Sequence, residues 1–232
     1  FGDSITGSYN YPTKLADETG ADVTNFGVGG TRLAQGSSNY DALCFYKIAQ
    51  AIASGDFSGV IAGADTLFAN TGADVRARMA ALAATDFSSV SYFVVFYGTN
   101  DWNGSIPLGG DSDNTGATFK GAFNLSLSLI RAAYPHIRIV FAGPMFRSRN
   151  AEGDGLDSDN NPNSNGTYLV EYGDAVATLS DDYDVKFLDM YRTSGVTLAN
   201  SATYLIDGLH PNPAGEQLIA RRVRTFIYHE FA

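Results

Sequence analysis

The stretch VSYFVVFYGTND, residues 90–101, decides the fold class of this chain. Its first eight residues are almost all β-branched or aromatic, and such a run is typical of a strand covered on both faces. Strands of that kind occur in parallel sheets that carry helices on either side. The last four residues, from Gly98 to Asp101, favour a turn, so the strand is expected to end there.

Similar apolar runs alternate with helical patterns along the rest of the chain. Shorter strands are predicted at residues 21–26, 137–142 and 185–188. Helices are predicted at residues 9–19, 73–84, 119–134, 168–180 and 213–228. Because strands that alternate with helices form parallel sheets, the chain is predicted to be an α/β protein with a doubly wound sheet.

Two polar segments interrupt this alternation. Residues 103–116 and 150–166 are rich in Gly, Asp, Asn and Ser, and both follow predicted strand ends. Both are therefore expected at the carboxyl edge of the sheet, where ligands bind in open α/β folds. Most of their residues are interpreted as surface loop. A subset is interpreted as shaping a substrate groove.

Length and charge narrow the possible partners. The 232 residues are interpreted as a single domain, residues 1–232. The formal net charge of −10 repels nucleic acid and anionic membranes, so neither is expected as a partner. The longest apolar run, at residues 92–97, is too short to span a membrane. The acidic charge and the Gly/Asn/Ser-rich segments favour an extracellular or cell-surface location.

The first residues, Phe-Gly-Asp-Ser, carry no initiator methionine. Gly2 to Ser4 are interpreted as the end of a buried strand. The first part of that strand is therefore expected upstream of residue 1, and a longer, multidomain protein is one alternative.

The chain has three histidines: His136, His210 and His229. Only His210 follows an acidic residue by three positions, in Asp-Gly-Leu-His at residues 207–210. One turn of that length can bring the Asp207 carboxylate to one ring nitrogen and leave the other to accept a proton. The alternative is a surface histidine that caps the last helix.

Ser4 is the candidate nucleophile for that base. It ends the tripeptide Gly-Asp-Ser between a predicted strand and a predicted helix, where a sharp turn presents the hydroxyl and the helix N-terminus favours negative charge. The same tripeptide recurs at residues 110–112, with no helix behind it, and there it is interpreted as a turn.

Two further segments offer hydrogen-bond donors for a developing negative charge. Residues 25–30, Asn-Phe-Gly-Val-Gly-Gly, follow a predicted strand, and glycine can aim its backbone N–H without a side chain in the way. A dinucleotide-binding loop is excluded because its third glycine would fall at Arg32. Asn100 offers a neutral amide donor. A plain turn is the alternative for both segments.

Together these elements resemble the SGNH, or GDSL, hydrolase family in order and spacing over nearly the whole chain. Ser4 matches the nucleophile of the first family block, Gly30 the glycine of the second and Asn100 the amide of the third. Asp207 and His210 match the last block, Asp-x-x-His.

The resemblance implies a flavodoxin-like three-layer α/β/α sandwich with a parallel, roughly five-stranded sheet. It also implies a serine esterase whose oxyanion hole is made by the backbone N–H groups of Ser4 and Gly30 and the side chain of Asn100. No metal and no organic cofactor are implied. The sequence has no zinc motif, and residues 157–161, which are faintly similar to a calcium loop, lack its Gly and Glu and are interpreted as a solvated loop.

The family includes sugar acetyl esterases, lipases, lysophospholipases and thioesterases, and the motifs do not choose among them. Trp102, the only tryptophan, follows Asp101 beside the expected site, and aromatic faces stack on sugar rings. Both are candidate substrate-binding residues, with packing as the alternative for Trp102. The hypothesis is removal of short acyl groups from a poly- or oligosaccharide. A lipase or thioesterase and a catalytically inactive carbohydrate-binding module are the alternatives.

Overall fold

A computed structural model describes residues 1–36, 39–69, 72–148 and 156–231. Within these ranges a parallel three-stranded sheet forms, with strands β1 (Tyr92–Phe96), β2 (Arg138–Ala142) and β3 (Val185–Leu188) in that spatial order. Ile139 of β2 pairs with Phe93 on one side and with Val185 on the other. The predicted α/β class is confirmed.

The described α-helices surround this sheet. They are α1 (Ser4–Gly7), α2 (Tyr11–Thr19), α3 (Phe45–Ser54), α4 (Ser58–Leu67), α5 (Ala73–Ala83), α6 (Thr99–Asn103), α7 (Phe119–Ala133), α8 (Leu169–Ser180), α9 (Met190–Thr193), α10 (Ser201–Tyr204) and α11 (Pro213–Phe231). Each of the five predicted helices is present, the last one continuing to Phe231. Among the described residues, no helix has the length and apolar character needed to cross a membrane.

Two hydrophobic clusters, one on each face of the sheet, make the molecule a three-layer sandwich. Phe93 and Val95 of β1 belong to a cluster with residues of α3, α7 and α8. Phe96 of the same strand belongs to a second cluster with residues of α2 and α11. Alternate residues of a strand point to opposite faces, so a nearly continuous apolar strand is what two covered faces require.

The predicted number of strands is only partly reproduced among the described residues. Gly2 forms a parallel bridge with Phe96, and the Val28 N–H donates to the Gly2 carbonyl at 2.9 Å. The spatial order of these segments, Val28, Gly2, β1, β2 and β3, follows the flavodoxin-like arrangement. The first two segments make isolated backbone contacts and do not form full strands.

The strand predicted at residues 21–26 is wrong. Among the described residues, none from 21 to 26 belongs to a strand or takes part in a backbone ladder. A strand needs a ladder of repeated hydrogen bonds, and the single bond at Val28 does not extend back to residue 21.

Candidate active site

Ser4 is the first residue of α1 and lies where the segment beside β1 turns into a helix. The turn is held by Asp3, whose side chain accepts the backbone N–H of Ile5 at 2.9 Å and whose carbonyl accepts that of Gly7 at 2.7 Å. Asp3 is almost fully buried, and burial raises the pKa of its carboxyl to about 7. A fixed turn therefore presents the half-buried Ser4 side chain at the carboxyl end of the sheet.

A hydrogen-bonded chain joins Ser4, His210 and Asp207. The Ser4 hydroxyl lies 2.9 Å from Nε2 of His210, and Nδ1 of His210 lies 2.7 Å from Oδ2 of Asp207. The other oxygen of Asp207 accepts the backbone N–H groups of Leu209 and His210 at 3.0 and 2.8 Å. Gly208 has φ of 87°, a conformation that favours glycine, and this allows the turn to close on its own carboxylate.

The charge state of Asp207 follows from these contacts. Partial burial acts to raise the pKa of its carboxyl, but the backbone N–H of His210, its imidazole and the backbone N–H of Leu209 outweigh that effect. The pKa of Asp207 is therefore held below its ordinary value, and the carboxylate is ionised at neutral pH.

The two other histidines lie away from this chain of hydrogen bonds. His136 is exposed after α7, and the His229 side chain is 82% exposed near the end of α11, where it contacts Glu230. Of the three histidines, the structure brings His210 alone to Ser4.

Gly30 and Asn100 are brought together by contacts between their segments. The Asn100 amide donates one N–H to the Thr31 carbonyl at 2.9 Å, which leaves its second N–H for another acceptor. Gly30 has φ of 80°, and a Cβ at this position would lie 3.2 Å from the Tyr40 ring. Among the hydrogen bonds of the described residues, the backbone N–H groups of Ser4 and Gly30 donate none.

Asp101 has a structural position, so its prediction as a substrate-binding residue is wrong. Its side chain is fully buried and accepts the backbone N–H groups of Leu33 and Ala34 at 3.1 and 3.0 Å. Burial raises the pKa of this carboxyl to about 6. Asp101 thereby ties α6, which carries Asn100, to the segment that follows Gly30.

Trp102 does not reach the surface either, so its prediction as a substrate-stacking residue is also wrong. The ring is fully buried, and its Nε1 donates to the Thr167 carbonyl at 3.0 Å. The guanidinium of Arg147 lies 5.6 Å from the ring centroid. Because α6 starts directly after the strand, its third and fourth residues turn towards the core.

Arg147, which the sequence analysis did not single out, is a buried cation beneath the site. Its Nη1 lies 3.2 Å from the Thr99 hydroxyl, next to Asn100, and its charge favours the ionised form of Asp3. The next residue, Ser148, donates its backbone N–H to the Gly208 carbonyl at 2.8 Å. The available signal was a charged residue five positions after the end of β2, because that edge of the sheet carries the site.

Tyr9 is the second residue that the sequence analysis missed. Its ring stacks on that of His210, with centroids 5.3 Å apart and planes 21° from parallel. Tyr9 lies between α1 and α2, and nothing in its spacing from Ser4 indicates which ring it would meet.

The remaining motifs are turns. The second Gly-Asp-Ser ends in a turn at residues 111–112, as predicted. Asp157 closes its own loop by accepting the backbone N–H groups of Asp159 and Asn160, and its burial departs from the predicted solvated loop. Residues 150–155 of the second polar segment lie outside the described residues.

Comparison with known proteins places these observations in a family. The sequence profile described as the GDSL-like lipase/acylhydrolase family matches residues 1–218, a span that includes all five residues of the predicted triad and oxyanion hole. No curated protein matches the chain at a significant level.

Solved structures show the same fold. A protein from Lactobacillus plantarum is 26% identical, with a TM-score of 0.75 over 100% of this chain and 96% of that chain. A protein from Chitinophaga pinensis, described as a possible lipase, is 20% identical, with a TM-score of 0.65 over 99% and 96% of the two chains. The lipase/acylhydrolase from Enterococcus faecalis is 16% identical, with a TM-score of 0.53 over 99% and 93%.

Proposed function

Because the chain belongs to the GDSL-like lipase/acylhydrolase family, it is an ester hydrolase, and we propose that it removes acetyl or other short acyl groups from a poly- or oligosaccharide through Ser4. The observation that carries the proposed mechanism is the hydrogen-bonded chain from Ser4 through His210 to Asp207, with distances of 2.9 and 2.7 Å. A catalytically inactive binding module has no need of that chain.

The reaction proceeds in two acyl-transfer steps. The Ser4 oxygen attacks the ester carbonyl carbon while Nε2 of His210 takes the hydroxyl proton. When the carbonyl re-forms, the bond to the sugar oxygen breaks, and His210 returns the proton to that alcohol. Water then attacks the acyl-enzyme while His210 takes its proton; the bond to Ser4 breaks, His210 returns the proton to the Ser4 oxygen, and the acid is released. Asp207 holds the imidazole and stabilises its charged form throughout.

Three donors are proposed for the oxyanion: the backbone N–H groups of Ser4 and Gly30 and the second N–H of the Asn100 amide. Support comes from their hydrogen bonding, since neither backbone group donates to another described residue and the amide has one N–H in use. Donors fixed before the reaction need no reorganisation when the charge develops.

Replacing Asn100 by alanine should lower kcat about 100- to 1,000-fold, because one fixed oxyanion donor is lost. KM should change little, since the contact is made only in the transition state. Steady-state kinetics on p-nitrophenyl acetate measures both constants. Asn103→Ala, an exposed amide on the same helix, is the matched control and should keep full activity. Equal kcat values for the two variants would remove Asn100 from the oxyanion hole.

A sugar ester is favoured by the aromatic groups that contact the proposed machinery. Tyr9 lies on His210 and Tyr40 lies against Gly30, and both side chains are half-buried. Tyrosines combine an apolar face with a polar edge, which suits a sugar ring better than an acyl chain. They take the place that the sequence analysis assigned to Trp102.

A lipase is the second candidate, and Ile206 is the observation in its favour. This side chain is 65% exposed directly before Asp207, where it could contact an acyl chain. The similar structure from Chitinophaga pinensis is described as a possible lipase and that from Enterococcus faecalis as a lipase/acylhydrolase, so long-chain esters are included among the test substrates.

A series of p-nitrophenyl esters from acetyl to decanoyl, together with acetylated xylooligosaccharides, separates the two candidates. We expect kcat/KM to fall at least about tenfold from the acetyl to the octanoyl ester, and acetate to be released from the oligosaccharide. Ile206→Ser should leave acetyl turnover unchanged. Faster turnover of the octanoyl ester, with a loss of that activity in Ile206→Ser, would establish the lipase instead.

A further inference from the structure

The Tyr9 ring covers one face of the imidazole proposed as the general base. The two rings are nearly parallel, at 21°, with centroids 5.3 Å apart. The edge of the imidazole is already engaged, by Ser4 at Nε2 and Asp207 at Nδ1. Because both ring nitrogens are engaged, a further neighbouring group can act on His210 only through the face of its ring.

The segment that carries Tyr9 is pinned to the helix that follows His210. The backbone N–H of Asn10 donates to Oε1 of Glu216 at 3.0 Å, and the other oxygen of Glu216 lies 3.8 Å from Nζ of Lys14. Glu216 is 6% exposed in the first turn of α11. The backbone next to Tyr9 is thus fixed to the helix that begins three residues after His210.

The electrostatics of this stack change during the reaction. An aromatic face is the negative part of its quadrupole and attracts a cation within about 6 Å of its centroid. The imidazole is neutral before it accepts the Ser4 proton and positive afterwards. Burial, together with the charges of Asp207 and Glu216, raises the pKa of the Tyr9 phenol, so its ring is neutral at the pH of the reaction.

We propose that Tyr9 is a positioning residue for His210, which holds the imidazole in line with Ser4 and stabilises the imidazolium of the transition state. This inference rests on the proposed function of His210 as the base. The aromatic face carries the effect, and the phenol hydroxyl is not needed for it. The contribution belongs to the transition state, so with a substrate that has no sugar ring it affects kcat and leaves KM unchanged.

The test compares Tyr9→Phe, which keeps the face, with Tyr9→Leu, which keeps bulk without a π system. On p-nitrophenyl acetate, kcat should fall about tenfold in Tyr9→Leu and stay within about twofold of the wild type in Tyr9→Phe, with KM unchanged in both. Tyr228→Leu, an exposed tyrosine on α11, is the matched control and should have no effect.

Proton NMR supplies a readout that does not depend on turnover. The ring current of Tyr9 should displace the Hε1 signal of His210 in the wild type and in Tyr9→Phe, and the displacement should vanish in Tyr9→Leu. With three histidines in the chain, the signals can be assigned by replacing His136 and His229.

Three results would overturn the inference. An unchanged kcat in Tyr9→Leu, an equal loss in Tyr9→Phe, or a raised KM with unchanged kcat would each show that the aromatic face does not act on His210. In all three cases the proposed function still holds if the wild type is active and Ser4→Ala is not. If Tyr9→Leu does not fold, an undisplaced Hε1 signal in the wild type still overturns the stack.

Discussion

Replacing Ser4 by alanine is expected to lower turnover of p-nitrophenyl acetate by about a millionfold, as measured for the equivalent change in a serine hydrolase with this triad. In the proposed mechanism the hydroxyl oxygen forms the covalent bond. Among the described residues, only the side-chain oxygens of Ser4 and Asp207 are hydrogen-bonded to a nitrogen of His210. Acyl transfer through an enzyme intermediate is therefore lost, and the remaining groups can act only on water.

The fold should survive this change. Among the described residues, the Ser4 hydroxyl has one hydrogen bond, to His210. The turn itself is held by the side chain and carbonyl of Asp3. A melting temperature within a few degrees of the wild type is therefore expected, since a change at a half-buried position away from the core costs little.

The chain contains its own control for the Ser4 variant. Ser112 ends the second Gly-Asp-Ser, in an exposed turn, and among the hydrogen bonds of the described residues none joins it to a histidine. Ser112→Ala should retain full activity, and a fluorophosphonate probe followed by peptide mass spectrometry should label Ser4 and leave Ser112 free. Label on Ser112, or activity in Ser4→Ala, would refute the assignment of the nucleophile.

The sheet and the helices that carry the site were predictable because their signals are local. Residues 90–97 contain a continuous apolar run, and the observed strand, Tyr92–Phe96, lies inside it. The pairing of Asp207 with His210 was predictable for the same reason, since both lie in one turn. The contact between His210 and Ser4 joins residues that are 206 positions apart in the sequence, and only the family pattern indicated it.

Two helices of ten residues each, α3 and α4, were among those not predicted, and they were missed for different reasons. The apolar residues of α3 are spaced as in a helix, at Phe45, Ile48, Ala49 and Ile52, so that signal was present and overlooked. The second helix, α4, contains Gly59 and Gly63. Each glycine destabilises a helix by about 1 kcal/mol relative to alanine, so the sequence does not favour a helix there. Packing against neighbouring elements compensates for that cost in the fold.

The burial of Trp102 and the stack on His210 could not be predicted from sequence. Whether the Trp102 ring meets solvent depends on how α6 leaves the strand and on the Thr167 carbonyl, which is 65 residues away. Tyr9 meets His210 because Asn10 is anchored to Glu216, again over 206 residues. Contacts between residues so far apart in the sequence depend on how whole helices and strands pack, and a local sequence pattern carries no information about that packing.

Replacing Asp207 by asparagine is expected to lower kcat about ten-thousandfold, with little change in KM. Asp207 uses its two oxygens differently: Oδ1 accepts the backbone N–H groups of Leu209 and His210, and Oδ2 lies 2.7 Å from Nδ1 of His210. An asparagine keeps the first set of contacts only if its carbonyl oxygen takes the Oδ1 position. Its NH2 group then faces Nδ1.

This arrangement reverses the tautomer of the imidazole. An NH2 group donates to Nδ1, so Nδ1 must be an acceptor and the ring proton must lie on Nε2. Nε2 then has no lone pair with which to accept the Ser4 proton. The variant also loses the negative charge that stabilises the imidazolium, while the backbone of the turn remains closed.

Asp189→Asn is the matched control for this variant. Asp189 also accepts a backbone N–H, from Arg192, and also forms an ion pair, so the two substitutions remove the same charge from a similar turn. It should retain full activity, and both variants should melt near the wild-type temperature. If Asp207→Asn loses less than about tenfold in kcat, a backbone carbonyl rather than the carboxylate orients His210, and Asp207 is then a residue of the turn and not of the triad.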